Sequence, residues 1–179
     1  MQHAHGMVRL MLKTRGYVVA NAPTPSDFAA VRGDEVVPVL FRDKMGRADM
    51  RVVIDKLLTE AVLHCIIVTA EKRWSPQAGT EAADSGLWIE NFSWKCLILD
   101  VASHPLVPRH VLLTAAETVA MLAAEKLDRK QLPRISVDDP VARYYGARLG
   151  QVFRVERPSE TAGVAVVYRV VVVVPKPKS

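Results

Sequence analysis

With 179 residues, half of them apolar and 24% charged, the chain can bury one good core or two small modules. It is too hydrophobic to remain disordered. Its longest apolar run, around Val170–Val174, is far short of the roughly 20 residues a membrane helix needs, which argues against a membrane span. The net charge of +5 is uneven: residues 1–113 carry a surplus of one positive charge, residues 114–179 a surplus of four. That balance fits a nucleic acid, an acidic protein partner or a plain solvated face.

The two cysteines, Cys65 and Cys96, both lie inside apolar runs and are expected to be buried thiols. No apolar signal segment opens the chain, so a reducing, intracellular compartment is expected.

In chain order, the first element reads as a helix with Met7, Leu10, Met11 and Thr14 on one face, ended by Gly16. Tyr17–Ala20 is a short strand. Pro23 and Pro25 break the chain, and Ser26 caps a brief helix around Phe28 and Val31. Val36–Phe41 is a strand, placed at a sheet edge by Pro38. A turn at Asp43–Gly46 leads to a helix over Met50–Val62, with Val53, Ile54, Leu57, Leu58, Ala61 and Val62 at helical spacing. Cys65–Val68 is an apolar strand of the kind covered on both faces. Ser75-Pro76 opens a loop and a short helix to Gly86, and Cys96–Leu99 is a further buried strand. Alternating helices and apolar strands make residues 1–100 an α/β module.

His104–His110, with Pro105 and Pro108, is an extended connector. Thr114 and Glu117 form a capping box for a helix to about Leu127, burying Val119, Leu122, Ala123 and Leu127. Asp139-Pro140 starts a short helix that Gly146 ends. Gln151–Arg157 and Val164–Val174 are strands joined by a turn at Ser159–Gly163, a β-hairpin. The tail Pro175–Ser179 is expected to fray.

No phosphate-cradling glycine loop, H-E-x-x-H or G-x-S-x-G occurs, and no cysteine or histidine spacing suits zinc. No catalytic residue, metal or cofactor is expected. His64 and Cys65 are strand neighbours that point to opposite faces, so they make no base–nucleophile pair. Asp34-Glu35 reads as a turn, and Asp138-Asp139 as a helix cap. One segment invites phosphate: Lys72 and Arg73 precede Ser75, Pro76, Gln77 and Ala78, where backbone amides open a helix. An ordinary capped turn explains the same pattern.

The C-terminal third carries a long ordered motif. It runs Leu132-Pro133-Arg134-Ile135, then Asp139-Pro140-Val141-Ala142-Arg143-Tyr144-Tyr145-Gly146 and Gly150-Gln151-Val152. It continues with Arg157-Pro158-Ser159-Glu160-Thr161-Ala162-Gly163 and Tyr168-Arg169. This resembles the assembly domain of the fifth-largest subunit shared by eukaryotic nuclear RNA polymerases, and of its archaeal counterpart. His104, Pro108 and His110 resemble the segment that opens this domain. Upstream, Met11–Tyr17 is similar to the end of the family's first helix. Ser75–Ala78 stands where eukaryotic members carry a Thr-Pro-Ser-Ala loop near downstream DNA, with Gln77 in place of the family serine.

The resemblance implies an α/β plus α+β architecture. Residues 1–103 would be a nuclease-like jaw, a mixed sheet with helices. Residues 104–179 would be a small two-layer assembly domain ending in the hairpin. It implies a non-catalytic subunit that docks on the largest polymerase subunit, meets other polymerase subunits and touches downstream duplex DNA non-specifically. The expected location is the nucleus, or a virus factory or virion if the abbreviated jaw reflects a large DNA virus. A stand-alone transcription-adaptor module is the alternative reading.

Overall fold

The structure, a computed structural model, describes residues 2–19, 27–70, 74–97, 100–101, 104–159 and 163–174. Contacts divide the chain into two compact units, Met1–Leu99 and Asp100–Ser179. Each unit is built on one mixed β-sheet. No helix among the described residues is long and apolar enough to cross a membrane.

The first unit begins with α1 (Gln2–Thr14), stopped by Gly16, whose φ of +83° suits a residue without Cβ. Its buried face is Ala4, Val8, Met11 and Leu12, while Leu10 is exposed and Thr14 bonds back to its own helix. The buried face is therefore rotated by about one residue from the expected one. β1 (Val18–Val19) and β2 (Phe28–Arg32) follow. The expected helix around Phe28 and Val31 is strand instead. The tight Gly33-Asp34 turn returns the chain as β3 (Glu35–Arg42), and β2 pairs with β3 along its whole length. Ser26, Pro23 and Pro25 lie outside the described residues.

The sheet order is β1-β2-β3-β4-β5, with β3, β4 (His64–Thr69) and β5 (Trp88–Ser93) parallel. Pro38 thus lies on an interior strand, not an edge. The reason is local: the β3–β4 ladder begins only at Val39. The Phe41 N–H points towards the β2 side, where it donates to Asp27. By the twofold alternation of a strand, Pro38 directs its nitrogen the other way, one residue before the first β3–β4 pair, so the missing donor interrupts no bridge of that ladder.

α2 (Arg47–Thr59) starts three residues earlier than expected, at Gly46, whose amide donates to Asp49. α2 and α3 (Pro76–Asp84) cover one face of the sheet over Met50, Ile54, Leu57, Cys65, Ile67, Ala78 and Ala82. α1 covers the other, where His5 stacks on Phe41. β4 is buried at every position, as its unbroken apolar run requires. The strand expected at Cys96–Leu99 is a 3-10 turn at Trp94–Leu97, and Cys96 is exposed. The sheet's last strand is spent earlier, on Trp88–Ser93, and residues 98–99 lie outside the described set.

The second unit has the sheet order β6-β8-β9-β7. β6 (Arg109–Leu112) takes up part of the expected connector. β8 (Val152–Ser159) and β9 (Gly163–Val172) pair antiparallel from Val152–Val170 to Ser159–Gly163, and β7 (Arg134–Ser136) adds parallel to β9. α4 (Ala115–Glu125) packs Met121 on Leu113, Leu132, Val152 and Val170. α5 (Pro140–Tyr144) packs Ala142 on the opposite face, over Ile135, Phe153, Val155 and Val171. The sheet therefore carries helices on both faces, three layers rather than two. α4 buries Thr118 and Met121 rather than the expected Val119, Ala123 and Leu127.

Candidate functional site

The chain's most reactive-looking groups meet inside the first unit. His64 on β4 and Glu90 on β5 point to the α1 face with Val39, Ile66 and Phe92, as strand alternation dictates. Nε2 of His64 lies 2.8 Å from Glu90, and Nδ1 lies 3.3 Å from Glu35. Arg15, at the end of α1, grips Glu90 with two donors at 2.7 and 3.0 Å. Its side chain is only 3% exposed and that of Glu90 10%. Trp88 stacks on the His64 ring at 3.7 Å. Tyr17 and Arg32 donate to the other oxygen of Glu35 at 2.9 and 2.8 Å.

The electrostatics follow from these contacts. Burial alone would raise the Glu90 carboxyl, but Arg15 and His64 outweigh it and hold it below the usual range. Burial likewise opposes the lowering of Glu35, which hydrogen bonds from Tyr17, Arg32 and His64 impose. Burial, with the bond to Glu35, pushes the Tyr17 hydroxyl up to about 12. Burial also pushes the Cys65 thiol up to about 12, so it stays protonated and inert. These groups tie α1 to the sheet. Sequence reading missed them because their members span 75 positions. The usable signal was Glu90 between Trp88 and Phe92, a charge at an inward strand position.

The loop expected near DNA is in part described. Lys72 and Arg73 lie outside the described residues. Ser75 is the N-cap of α3: its Oγ accepts from the Ala78 amide at 3.2 Å, and its own amide donates to the Met45 carbonyl at 3.2 Å. Pro76 and Gln77 are exposed, and Ala78 is fully buried under the helix. The local fold thus turns Pro76 and Gln77 outward and anchors the half-buried Ser75 through Ala78 and Met45.

In the second unit, the motif divides into residues that build the fold and residues that face out. Asp139 caps α5 by accepting from Val141 at 2.8 Å, with Pro140 at the first helical position. Gly146 ends that helix at a φ of +63°, and the Gly150 amide donates to the Val171 carbonyl at 2.9 Å. Leu132 and Tyr144 are buried; Tyr145 is half-buried, edge-on to both Tyr144 and Phe153. His110 donates from Nδ1 to the Pro108 carbonyl at 2.6 Å and sits edge-on to Phe153. His104 accepts from the Leu106 amide, and Gln151 from the Arg148 amide. Pro133 is exposed, its carbonyl taken by the Val170 amide.

Outward stand Arg134 on β7, Arg157 and Pro158 on β8, and Arg169 on β9, with Arg143 half-buried on α5. Tyr168 is half-buried against the α4-side core. Ser159 pairs with Gly163, which turns at a φ of +68°. Glu160 and Thr161 lie outside the described residues. Among the described residues, no three His, Cys, Asp or Glu side chains converge on a metal position.

What these residues define, among the described ones, is polar chemistry spent on architecture in the first unit and exposed guanidinium groups, those of Arg134, Arg157 and Arg169, on the sheet of the second. Residues 99–171 match the family described as RNA polymerase Rpb5, C-terminal domain. The chain is 33% identical, over 90% of its own length and of theirs, to the DNA-directed RNA polymerases I, II, and III subunit RPABC1 of Caenorhabditis briggsae and of Caenorhabditis elegans. It is 37% identical to the like-named protein of Dictyostelium discoideum, over 75% of this chain and 71% of that one. The chain belongs to the RPABC1 (Rpb5) family of RNA polymerase subunits.

Proposed function

We propose that this chain is a non-catalytic subunit of a multisubunit DNA-directed RNA polymerase. The observation that carries this is the collinear similarity over 90% of both chains to proteins named as shared polymerase subunits. Those names favour a subunit over a stand-alone adaptor, and they fit work in the nucleus. A viral source would move it to a virus factory or virion.

Within that assembly, residues 104–179 dock on the largest subunit, and residues 1–103 form a nuclease-like jaw beside downstream duplex DNA. Two features support these roles. For docking, Arg134, Arg157 and Arg169 are exposed, and an arginine offers a planar fork of donors that fits a carboxylate on a partner. For the jaw, the mixed sheet is covered by α1 on one face and by α2 and α3 on the other. The jaw is almost neutral overall, so its DNA contact rests on a local patch. Lys72 and Arg73, with the half-buried Ser75 and the exposed Pro76 and Gln77 at the α3 N-terminus, supply positive charge and amides for phosphates without reading sequence.

Affinity purification of the tagged chain from its native cells, followed by mass spectrometry, tests the assignment. The two large polymerase subunits are expected in near-stoichiometric yield. Their absence would refute it.

A further inference from the structure

The second unit carries an apolar groove that neither its fold nor the outward arginines explain. It opens between α4 and the β8–β9 ribbon, with a volume of about 660 Å³. Met121, Leu132, Val166 and Tyr168 form its floor. Val166 is 42% exposed, high for a branched apolar side chain in mid-strand. Along the helix wall stand Glu117 and Glu125, on the same side of α4 as Met121 by their spacing of four. Eight residues of helix separate the two carboxylates by about 12 Å.

Neither carboxylate has a cationic partner among the described residues. Glu117 is held in place by Thr114, whose amide and hydroxyl both donate to the same oxygen at 2.8 Å. Its other oxygen is not needed for the cap. Arg154, on the opposite wall, is already matched: Glu156 holds it at 3.1 Å and reaches Arg109 at 3.4 Å. The groove thus offers two unmatched negative charges along one side of an apolar floor, within a unit whose overall charge is positive.

Resting on the polymerase assignment, we infer that this groove receives an amphipathic segment of another polymerase subunit. The segment turns apolar side chains to Met121, Val166 and Tyr168. It places a Lys or Arg against each of Glu117 and Glu125. This surface is chemically opposite to the one the exposed arginines form, which suits an acidic neighbour. An occupant with carboxylates along the α4 wall would meet like charge and is disfavoured.

The test places a photocrosslinking amino acid at Val166 of the full chain, expressed in native cells, and purifies the intact polymerase before irradiation. A crosslink to a polymerase subunit is expected, at a peptide with apolar residues flanked by Lys or Arg. Glu125→Lys, at an exposed position with no ion pair, is expected to cut the crosslink yield at least fivefold. A probe at Val119, on the far side of α4, is expected not to capture that peptide. Should the Val166 probe impair assembly, the same probe at Leu127, also on the groove wall, takes its place. The inference is overturned if the chain co-purifies with polymerase but gives no crosslink. A crosslink to an acidic peptide, to residues 1–99 of this chain or to a second copy overturns it too, as does a yield indifferent to Glu125→Lys. Failure to co-purify at all is a different result, and refutes the polymerase assignment itself.

Discussion

The two units handle charge in opposite ways. In the first, Arg15, Glu35, His64 and Glu90 turn inward and bind one another beneath α1. In the second, the interior on both faces of the sheet is mainly apolar, with His110 and Thr118 the polar side chains buried there among the described residues, and Arg134, Arg157 and Arg169 stand in solvent. A cluster of histidine, carboxylate and arginine suggests catalysis when read as a list. Here each member is already matched by another, which leaves none poised for a substrate. The exposed arginines offered for docking belong to the other unit, where no arginine or carboxylate among the described residues is buried.

This contrast can be broken from the core outward. Phe153→Ala removes a fully buried ring between His110 and Tyr145, and should destabilise the second unit by about 3–5 kcal/mol in denaturant unfolding. A loss below about 1 kcal/mol would show that the packing around Phe153 does not hold the second unit together. Next, Arg15→Ala leaves Glu90 buried with only His64 facing it. The cost to the first unit should be about 3 kcal/mol. Pairing Arg15→Met with Glu90→Leu should recover part of it, because no charge is then stranded. A double variant weaker than the single one would contradict the inward-pairing account.

Acid separates the units more gently. Glu35 and Glu90 have folded pKa values held below the unfolded value. Their stabilisation is present above the unfolded carboxylate pKa and is lost as the pH falls through the lowered one. Glu117 is lowered as well, but it is a surface cap in the second unit. Amide hydrogen exchange between roughly pH 5 and pH 3 should therefore show the first unit losing protection earlier. Simultaneous loss, or loss in the second unit first, would contradict the comparison. Smallest in stability is the pair Arg157→Ala and Arg169→Ala, expected within about 0.5 kcal/mol of wild type. The same variant should co-purify less with polymerase. Full retention there would remove these arginines from the docking surface.

Much of this was legible wherever one local rule acts alone. Asp139-Pro140, Thr114 with Glu117, and Ser75 before Pro76 each bring a cap whose partner lies two or three residues away. All three stand as read. The apolar run of β4 likewise needs no distant information. The errors fall where a remote element decides. Phe28 and Val31 suit a helix by spacing, but pairing to β1 and β3 makes them strand. α4 is apolar around much of its surface, so periodicity did not select Thr118 and Met121 over Val119. Cys96 sits in an apolar run yet is exposed, because β5 had already completed the sheet. The Arg15–Glu90 pair joins the end of α1 to the last strand, a distance no window of sequence spans. For the second unit the long motif supplied the family directly. The motif does not sort itself into Leu132 and Tyr144, which are buried, and Arg157 and Arg169, which are not.

Sedimentation of native extract through a glycerol gradient, with this chain detected by antibody across the fractions, bears most directly on the central claim. The chain should travel in the fast peak with the large polymerase subunits, and should stay there at moderate salt. A slow peak near the chain's own mass of 19.8 kDa, with none of the chain in the polymerase fractions, would contradict its assignment as a polymerase subunit.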